Sequence, residues 1–201
     1  MTTRYQCLQR LAPRITDELI VTSVGATARE LHALIPRDGT LYRVHMGGSE
    51  SLGLGLAMAL PHRRIIAFEG DGSVLMGLSA LPVIGRYRPP NLLVVVFDNQ
   101  LYEGGGGLPT MTAHGTDLVA LAQAAGIRAA LRVEDAEGFD AALDAAFRSE
   151  ETGFIVASVE PGTSAPYAAM DGTENKYRFI HYIEETEGIQ VLQGPARSSV
   201  R

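Results

Sequence analysis

The sequence predicts a doubly wound α/β fold, a mostly parallel six-stranded sheet with helices on both faces. Three observations lead there. Short runs such as Ile65-Ile66-Ala67-Phe68 and Leu92-Leu93-Val94-Val95-Val96 are apolar at every position, the signature of strands covered on both sides. Helical patterns separate successive runs, as the right-handed crossovers between parallel strands require. No internal repeat or low-complexity block interrupts the alternation.

Taken in order, Glu18 to Ser23 reads as a strand and Ala26 to Leu34 as a helix closed by Pro36 and the Asp38-Gly39 turn. Leu41 to Val44 is the next strand. Glu50 to Leu60 is a helix rich in small residues, whose glycines at 53 and 55 each lower helicity by about 1 kcal/mol relative to Ala. After the strand ending at Phe68, Val74 to Tyr87 reads as helical. Pro82 falls inside it, where an interior proline costs about 3 kcal/mol, so this helix kinks or restarts.

Leu92 to Phe97 is the central strand, Thr116 caps a helix to Ala125, and Ile127 to Leu131 is a shorter strand. Asp135 to Phe147 is amphipathic and helical, and Phe154 to Val159 is the last strand. The expected domain covers 1–160. Residues 161–201 read as a tail, either disordered or, given the aromatics in Lys176-Tyr177-Arg178-Phe179-Ile180-His181-Tyr182, an arm that docks on a neighbouring subunit.

Composition excludes several classes of function. With 201 residues and a formal charge of −6, the chain can bury a substantial core and carries no basic stripe for nucleic acid. Cys7 is the single cysteine, which rules out an internal disulfide and a cysteine-built iron–sulfur cluster. Met1-Thr2-Thr3-Arg4 does not open a signal peptide, and no apolar run approaches the roughly 20 residues that cross a bilayer. The expectation is a cytoplasmic protein without membrane contact.

The chemistry concentrates at two strand tips. One is the Gly70-Asp71-Gly72-Ser73 turn; the other is Asn99 in Phe97-Asp98-Asn99-Gln100-Leu101-Tyr102. In an open parallel sheet, ligands gather at the carboxyl ends of strands, where helix N-termini offer free N–H groups to anions. Glycine lets the backbone approach a phosphate closely. Asp71 adds a hard carboxylate and Asn99 an amide oxygen, a pair suited to Mg²⁺, whose octahedral shell is completed by phosphate oxygens and water.

This spacing resembles the metal-binding motif of the thiamine diphosphate enzymes. The run Asp98-Asn99, Tyr102-Glu103, Gly106-Gly107, Pro109-Thr110 is similar to the sulfopyruvate and phosphonopyruvate decarboxylases, with similarity from about Val44 to Glu160. The resemblance implies the thiamine diphosphate-binding fold and the cofactors thiamine diphosphate and Mg²⁺. It implies that Asp71 and Asn99 ligate the metal by side chains and Leu101 by its carbonyl. Gly70, Gly72 and Ser73 would hold diphosphate.

In Val44-His45-Met46-Gly47-Gly48, the Val44 carbonyl would accept from the aminopyrimidine. Met46 would be the apolar wedge that bends the cofactor, though a methionine there also fills core space, and Gly47 belongs to the same gripping segment. Tyr102 and Glu103 either line the pocket or support the loop. His45 and His114 are each a substrate contact or a structural residue. Gly104 to Gly107 form either a plain surface loop or a movable cover.

The family's activating glutamate sits on a pyrimidine-binding domain for which this chain has no room. Glu50 lies in the wrong segment to replace it. The resemblance therefore implies one chain of a two-chain enzyme, α2β2 in its simplest closed form, with an alpha subunit supplying that glutamate. The implied substrate is a 2-oxo acid such as sulfopyruvate or phosphonopyruvate, although Leu108 stands where those enzymes commonly have Gln. An acyloin-forming carboligase or lyase, and a non-catalytic nucleotide-binding module, remain as alternatives.

Overall fold

A computed structural model describes residues 2–164 and 171–192. The expected α/β architecture is present. In chain order the elements are β1 (Thr2–Thr3), α1 (Arg4–Leu11), β2 (Leu19–Ser23), α2 (Ala26–Leu34), β3 (Thr40–Val44), α3 (Ser49–Ala59) and β4 (Ile65–Gly70). Then come α4 (Asp71–Met76), α5 (Ala80–Tyr87), β5 (Leu92–Asp98), β6 (Leu101–Tyr102), β7 (Leu108–Pro109), α6 (Leu118–Ala124) and β8 (Ala129–Val133). The last three are α7 (Ala136–Arg148), β9 (Gly153–Glu160) and α8 (Gly172–Glu187).

The main sheet runs β3-β2-β4-β5-β9, all parallel, and the outer edge of β9 is shared. Gly153 to Ala157 pair with β8, and Val159 and Glu160 pair with β1. That makes seven strands rather than six, because β1 is too short to leave a pattern in the sequence. From β2 the chain moves outward to β3, then crosses back to β4 and proceeds the other way. The direction of winding therefore reverses between β2 and β4, and the ligand crevice of such sheets opens outside the strand ends at that point.

Two apolar layers sandwich the sheet. One packs Leu8 and Leu11 of α1, Leu31 of α2 and Phe139 and Leu143 of α7 against Ile20, Phe68, Val95 and Phe97. The other packs Leu54 of α3, Leu81 and Ile84 of α5, Leu118 of α6 and Phe179 and Ile183 of α8 against Ile65, Val94 and Val156. β4 and β5 face both layers, which explains their unbroken hydrophobicity.

Three local expectations are corrected. The 74–87 helix is two helices, and the break falls at Gly77 to Ser79 rather than at Pro82. Pro82 stands in the first turn of α5, where an N–H has no intrahelical partner to lose. Asp117, not Thr116, caps α6, its Oδ1 accepting from the N–H groups of Val119 (2.9 Å) and Ala120 (3.3 Å). The 127–131 strand lies two residues later, at Ala129–Val133.

The stretch read as a tail is partly built into the domain. α8 lies along edge strand β3, with Asn175 accepting from Tyr42 N–H at 2.8 Å and donating to Thr40 C=O at 2.9 Å. Phe179 and Ile183 join the core, so packing does not stop at 160. Residues 165–170 and 193–201 of that stretch lie outside the described residues. Residues 2–17 are also built into the domain, and a Thr3–Gln6 capping box starts α1: Gln6 N–H donates to Thr3 Oγ1 at 3.2 Å and Thr3 N–H to Gln6 Oε1 at 2.9 Å.

Candidate active site

A cavity of about 850 Å³ opens at the reversal point. The tips of β2 (Ser23, Val24), β4 (Gly70) and β5 (Phe97, Asn99) form its floor, and its size is that of a small-molecule or cofactor site. Asp71, Gly72, Ser73, Met76 and Met46 line one wall, and Leu101 to Gly105, Gly107 and Leu108 another. The two halves of the sequence motif thus meet because β4 and β5 are hydrogen-bonded neighbours, Gly70 opposite Phe97.

Asp71 is buried and begins α4. Thr110 Oγ1 donates to its Oδ2, and Thr112 Oγ1 lies 2.9 Å from the same oxygen. Thr112 also lies 2.9 Å from Asp98 Oδ1, so its single proton is shared between two carboxylates. Asp98 is compensated on its other oxygen by Arg132 at 2.9 Å. Burial, the largest cause, raises the Asp71 pKa; the two threonine hydroxyls oppose it and Asp98 adds to it. A cation beside Asp71 would relieve that desolvation.

Asn99 is buried and opens a tight turn. Its Oδ1 accepts from Leu101 N–H at 3.0 Å, and Gln100 takes a left-handed φ of 63° to make the turn. Leu101 then pairs with Pro109 in the β6–β7 hairpin, and proline has no N–H to engage the Leu101 carbonyl. Among the described residues no three His, Cys, Asp or Glu side chains gather as a metal cluster. A divalent ion here would thus have to take most of its oxygens from this turn, from a bound phosphate and from water, which the residues permit.

Gly72 is the narrowest point. A Cβ there would stand 2.1 Å from Cε1 of Tyr102, so only glycine fits beneath that ring. Gly70 precedes α4 without a capping side chain, which leaves first-turn N–H groups free for an anion. Ser73 is tied elsewhere through its hydroxyl, which donates to Glu69 and accepts from Gly47 N–H at 2.8 Å. Gly47 has φ 77° and a Cβ there would meet Gly77 N at 2.6 Å, so this turn is clamped against the end of α4.

The other expected residues separate into two groups. Met46, Tyr102 and Glu103 line the cavity. Val44 ends β3 outside its wall, and its carbonyl already accepts from Val24 N–H at 2.8 Å, one lone pair remaining. His45 is exposed, its ring lying over Gly48 and away from the cavity. His114 is exposed at the end of a short 3₁₀ turn, Met111–His114. The glycine run is held by the small β6–β7 hairpin rather than left free.

Some site residues have no local signal in the sequence. Thr112 bonds Asp71 and links it to Asp98, and only the folded hairpin brings the threonine there. Gly25, Ala26 and Thr27 at the start of α2 line the cavity beside Arg29 and Arg4. A glycine directly after the β2 run, matching the Gly70 arrangement after β4, is the signal that marks this second strand-to-helix turn. Arg4 comes from the far N-terminus: Nε bonds Glu30 Oε2 at 2.8 Å, and Nη1 is 3.5 Å from Glu103 Oε2. No local pattern announces it.

Fold and cavity together define a class: a doubly wound α/β domain whose ligand site opens at the strand-order reversal. The chain belongs to the thiamine pyrophosphate enzymes, residues 24–158 matching the family's C-terminal TPP binding domain. It is 34% identical over 185 residues to sulfopyruvate decarboxylase subunit beta of Methanococcus maripaludis, covering 91% of this chain and 98% of that one. It is 34% identical over 163 residues to phosphonopyruvate decarboxylase of Streptomyces viridochromogenes, covering 80% of this chain but 41% of that longer one. Among solved structures, benzoylformate decarboxylase of Polynucleobacter necessarius superposes with a TM-score of 0.65 at 20% identity, covering 81% of this chain and 34% of that one, which supports the fold.

No helix among the described residues is long and apolar enough to cross a membrane.

Proposed function

We propose that this chain is the diphosphate-binding subunit of a two-chain, Mg²⁺-dependent decarboxylase that acts on a 2-oxo acid carrying a second acid group, sulfopyruvate or phosphonopyruvate. The observation that supports the reading is that Asp71, Asn99, Leu101 and Gly72 all line one cavity. The beta-subunit name of a relative matched over nearly its full length supports the two-chain arrangement. So does the longer phosphonopyruvate decarboxylase, of which this chain spans less than half. An α2β2 assembly in the cytoplasm is the simplest form.

Each residue has a defined task in this reading. Asp71 offers Oδ1 to Mg²⁺, since both threonine contacts fall on Oδ2. Asn99 turns its amide oxygen and Leu101 its carbonyl to the same ion. Gly70, Gly72 and Ser73 present backbone N–H groups to the diphosphate. Met46 would pack against the bound cofactor, with Gly47 fixing that segment and the remaining lone pair of Val44 C=O available to the aminopyrimidine. Tyr102 and Glu103 close the wall over the bound groups.

Bound thiamine diphosphate supplies the electron sink for loss of CO₂ from a 2-oxo acid. The chain's own contribution is to orient, to neutralise charge and to exclude water. The activating glutamate comes from the alpha subunit.

Calorimetric titration of thiamine diphosphate with and without Mg²⁺ tests the reading. Wild-type chain should bind only with the metal and Asp71→Ala should not bind; equal affinity in the variant rejects the ligand assignment. Alone, the chain should not decarboxylate sulfopyruvate, and turnover without a second polypeptide rejects the two-chain arrangement.

A further inference from the structure

Two guanidinium groups line the cavity, and they differ in one respect. Arg4 is fully compensated: it bonds Glu30 at 2.8 Å and reaches Glu103 at 3.5 Å, while Glu30 also accepts from Ser164 N–H at 2.8 Å. Arg29, one residue before Glu30 on α2, is partly buried and lines the same cavity, yet it makes no hydrogen bond or ion pair among the described residues. Its Nε is buried and without a partner.

A charged group without a counter-ion beside a cavity is costly to hold in place, and an anion bound there would offset that cost. Arg86, Arg88, Arg128 and Arg148 are exposed, where solvent is free to meet their charge. Arg37 Nη1 and Arg63 Nε are also buried without a hydrogen-bond partner, but each of those guanidinium groups is held by other bonds, to Thr16 and to Glu187, whereas the half-buried Arg29 shows none. The carboxylates that share its cavity are already engaged, Glu103 by Arg4 and by Gly162 N–H, and Asp71 by Thr110 and Thr112. Asp71 and Glu103 are the acidic residues of the lining, so the cavity holds no free counter-charge for Arg29.

We infer that Arg29 is the anion-reading side chain of the cavity, donating from its terminal nitrogens to a tetrahedral oxyanion, the sulfonate or phosphonate end of the substrate. As to the substrate this rests on the reading above. A planar fork that can donate two parallel hydrogen bonds suits such a group and discriminates against 2-oxo acids whose side chain is uncharged. The same chemistry belongs to the terminal phosphoryl of a bound diphosphate. The test has one arm for each source.

The Arg29 Nε–H resonance of the ¹⁵N-labelled full chain, assigned by its loss in Arg29→Lys, reports an anion bound at the guanidinium. Sulfoacetate stands in for the substrate's acid end and inorganic pyrophosphate for the cofactor's. The expected result is a shift of this resonance on saturation with sulfoacetate, an affinity for it about tenfold or more lower in Arg29→Met, and a smaller loss in Arg29→Lys. A response confined to pyrophosphate keeps the anion-reading role and assigns it to the cofactor. A resonance unmoved by both probes, with Arg29→Met binding both as the wild type does, overturns the inference. If the wild type instead lacks Mg²⁺-dependent affinity for thiamine diphosphate while Arg29 still answers to sulfoacetate, the proposed function fails and this inference stands.

Discussion

The ring of Tyr102 rests directly on Gly72, so closely that a single methyl group at 72 would overlap Cε1 at 2.1 Å. Gly72 belongs to the diphosphate turn after β4, and Tyr102 follows Leu101 after β5. The contact therefore locks the two halves of the motif in register, one aromatic face against one bare α-carbon.

Gly72→Ala should lower stability by about 1–3 kcal/mol through overpacking, although alanine favours a helix. Adding Tyr102→Ala should return most of that loss, because the ring is what the methyl meets. Urea denaturation of the two single variants and the double one measures the coupling; additive effects would place the ring elsewhere.

Arg4 and Glu30 form a buried pair that ties the N-terminus to α2. Removing one partner leaves a charge stranded, so Arg4→Met should cost about 3–5 kcal/mol. Arg4→Met with Glu30→Met should be less damaging than Arg4→Met alone. Thermal melts of the three variants decide this, and a double variant worse than the sum of the singles would contradict it.

Glu50 lies fully buried beside Glu69. Burial is the larger cause and the neighbouring carboxyl adds to it, together holding the Glu50 pKa well above the usual carboxylate range and its side chain neutral. The folded state therefore keeps this proton where the unfolded chain releases it. Its contribution to stability is whole below about pH 4.5, the ordinary glutamate value, and declines as pH rises towards the folded value. Glu50→Gln, neutral at every pH, should melt higher than wild type at pH 8 and close to it at pH 5. Parallel curves at both pH values would show that Glu50 is ionised in the fold.

Asn175 answers whether α8 is part of the domain in solution. Its amide satisfies one donor and one acceptor of edge strand β3, so Asn175→Ala leaves buried backbone groups unpaired and should cost about 1–3 kcal/mol. Amide exchange at Tyr42, whose N–H it accepts, should quicken. Unchanged protection at Tyr42 would mean that the helix does not hold the edge.

Much of the fold was legible because β4 and β5 are covered on both faces and must be apolar throughout. α2 was placed at its observed bounds, Ala26 to Leu34, since strand, glycine and proline frame it. α1 and α8 were missed for different reasons. α1 is short and sparsely apolar, although the Thr3-x-x-Gln6 capping box was there to be read. α8 is polar over most of its length and becomes a core element only because Phe179, Ile183 and Asn175 find β3 and its neighbours.

Asp71 and Asn99 could be paired from spacing because each sits at the tip of a strand, and the register of β4 with β5 does the rest. The segment before α3 was less legible. Met46 enters the cavity while His45, beside it, points to solvent, a difference set by the turn that Gly47 makes against Gly77.

The sequence by itself determined the central apolar strands, the α/β alternation and the glycine-framed carboxylate at a strand tip, since apolar runs and turn residues act over a few neighbouring positions. Only the tertiary structure decided which distant groups complete the cavity. Thr112 reaches Asp71, Arg4 neutralises Glu30 and Glu103, and Arg29 is left without a counter-charge, because charge compensation depends on distances in space that no local pattern encodes.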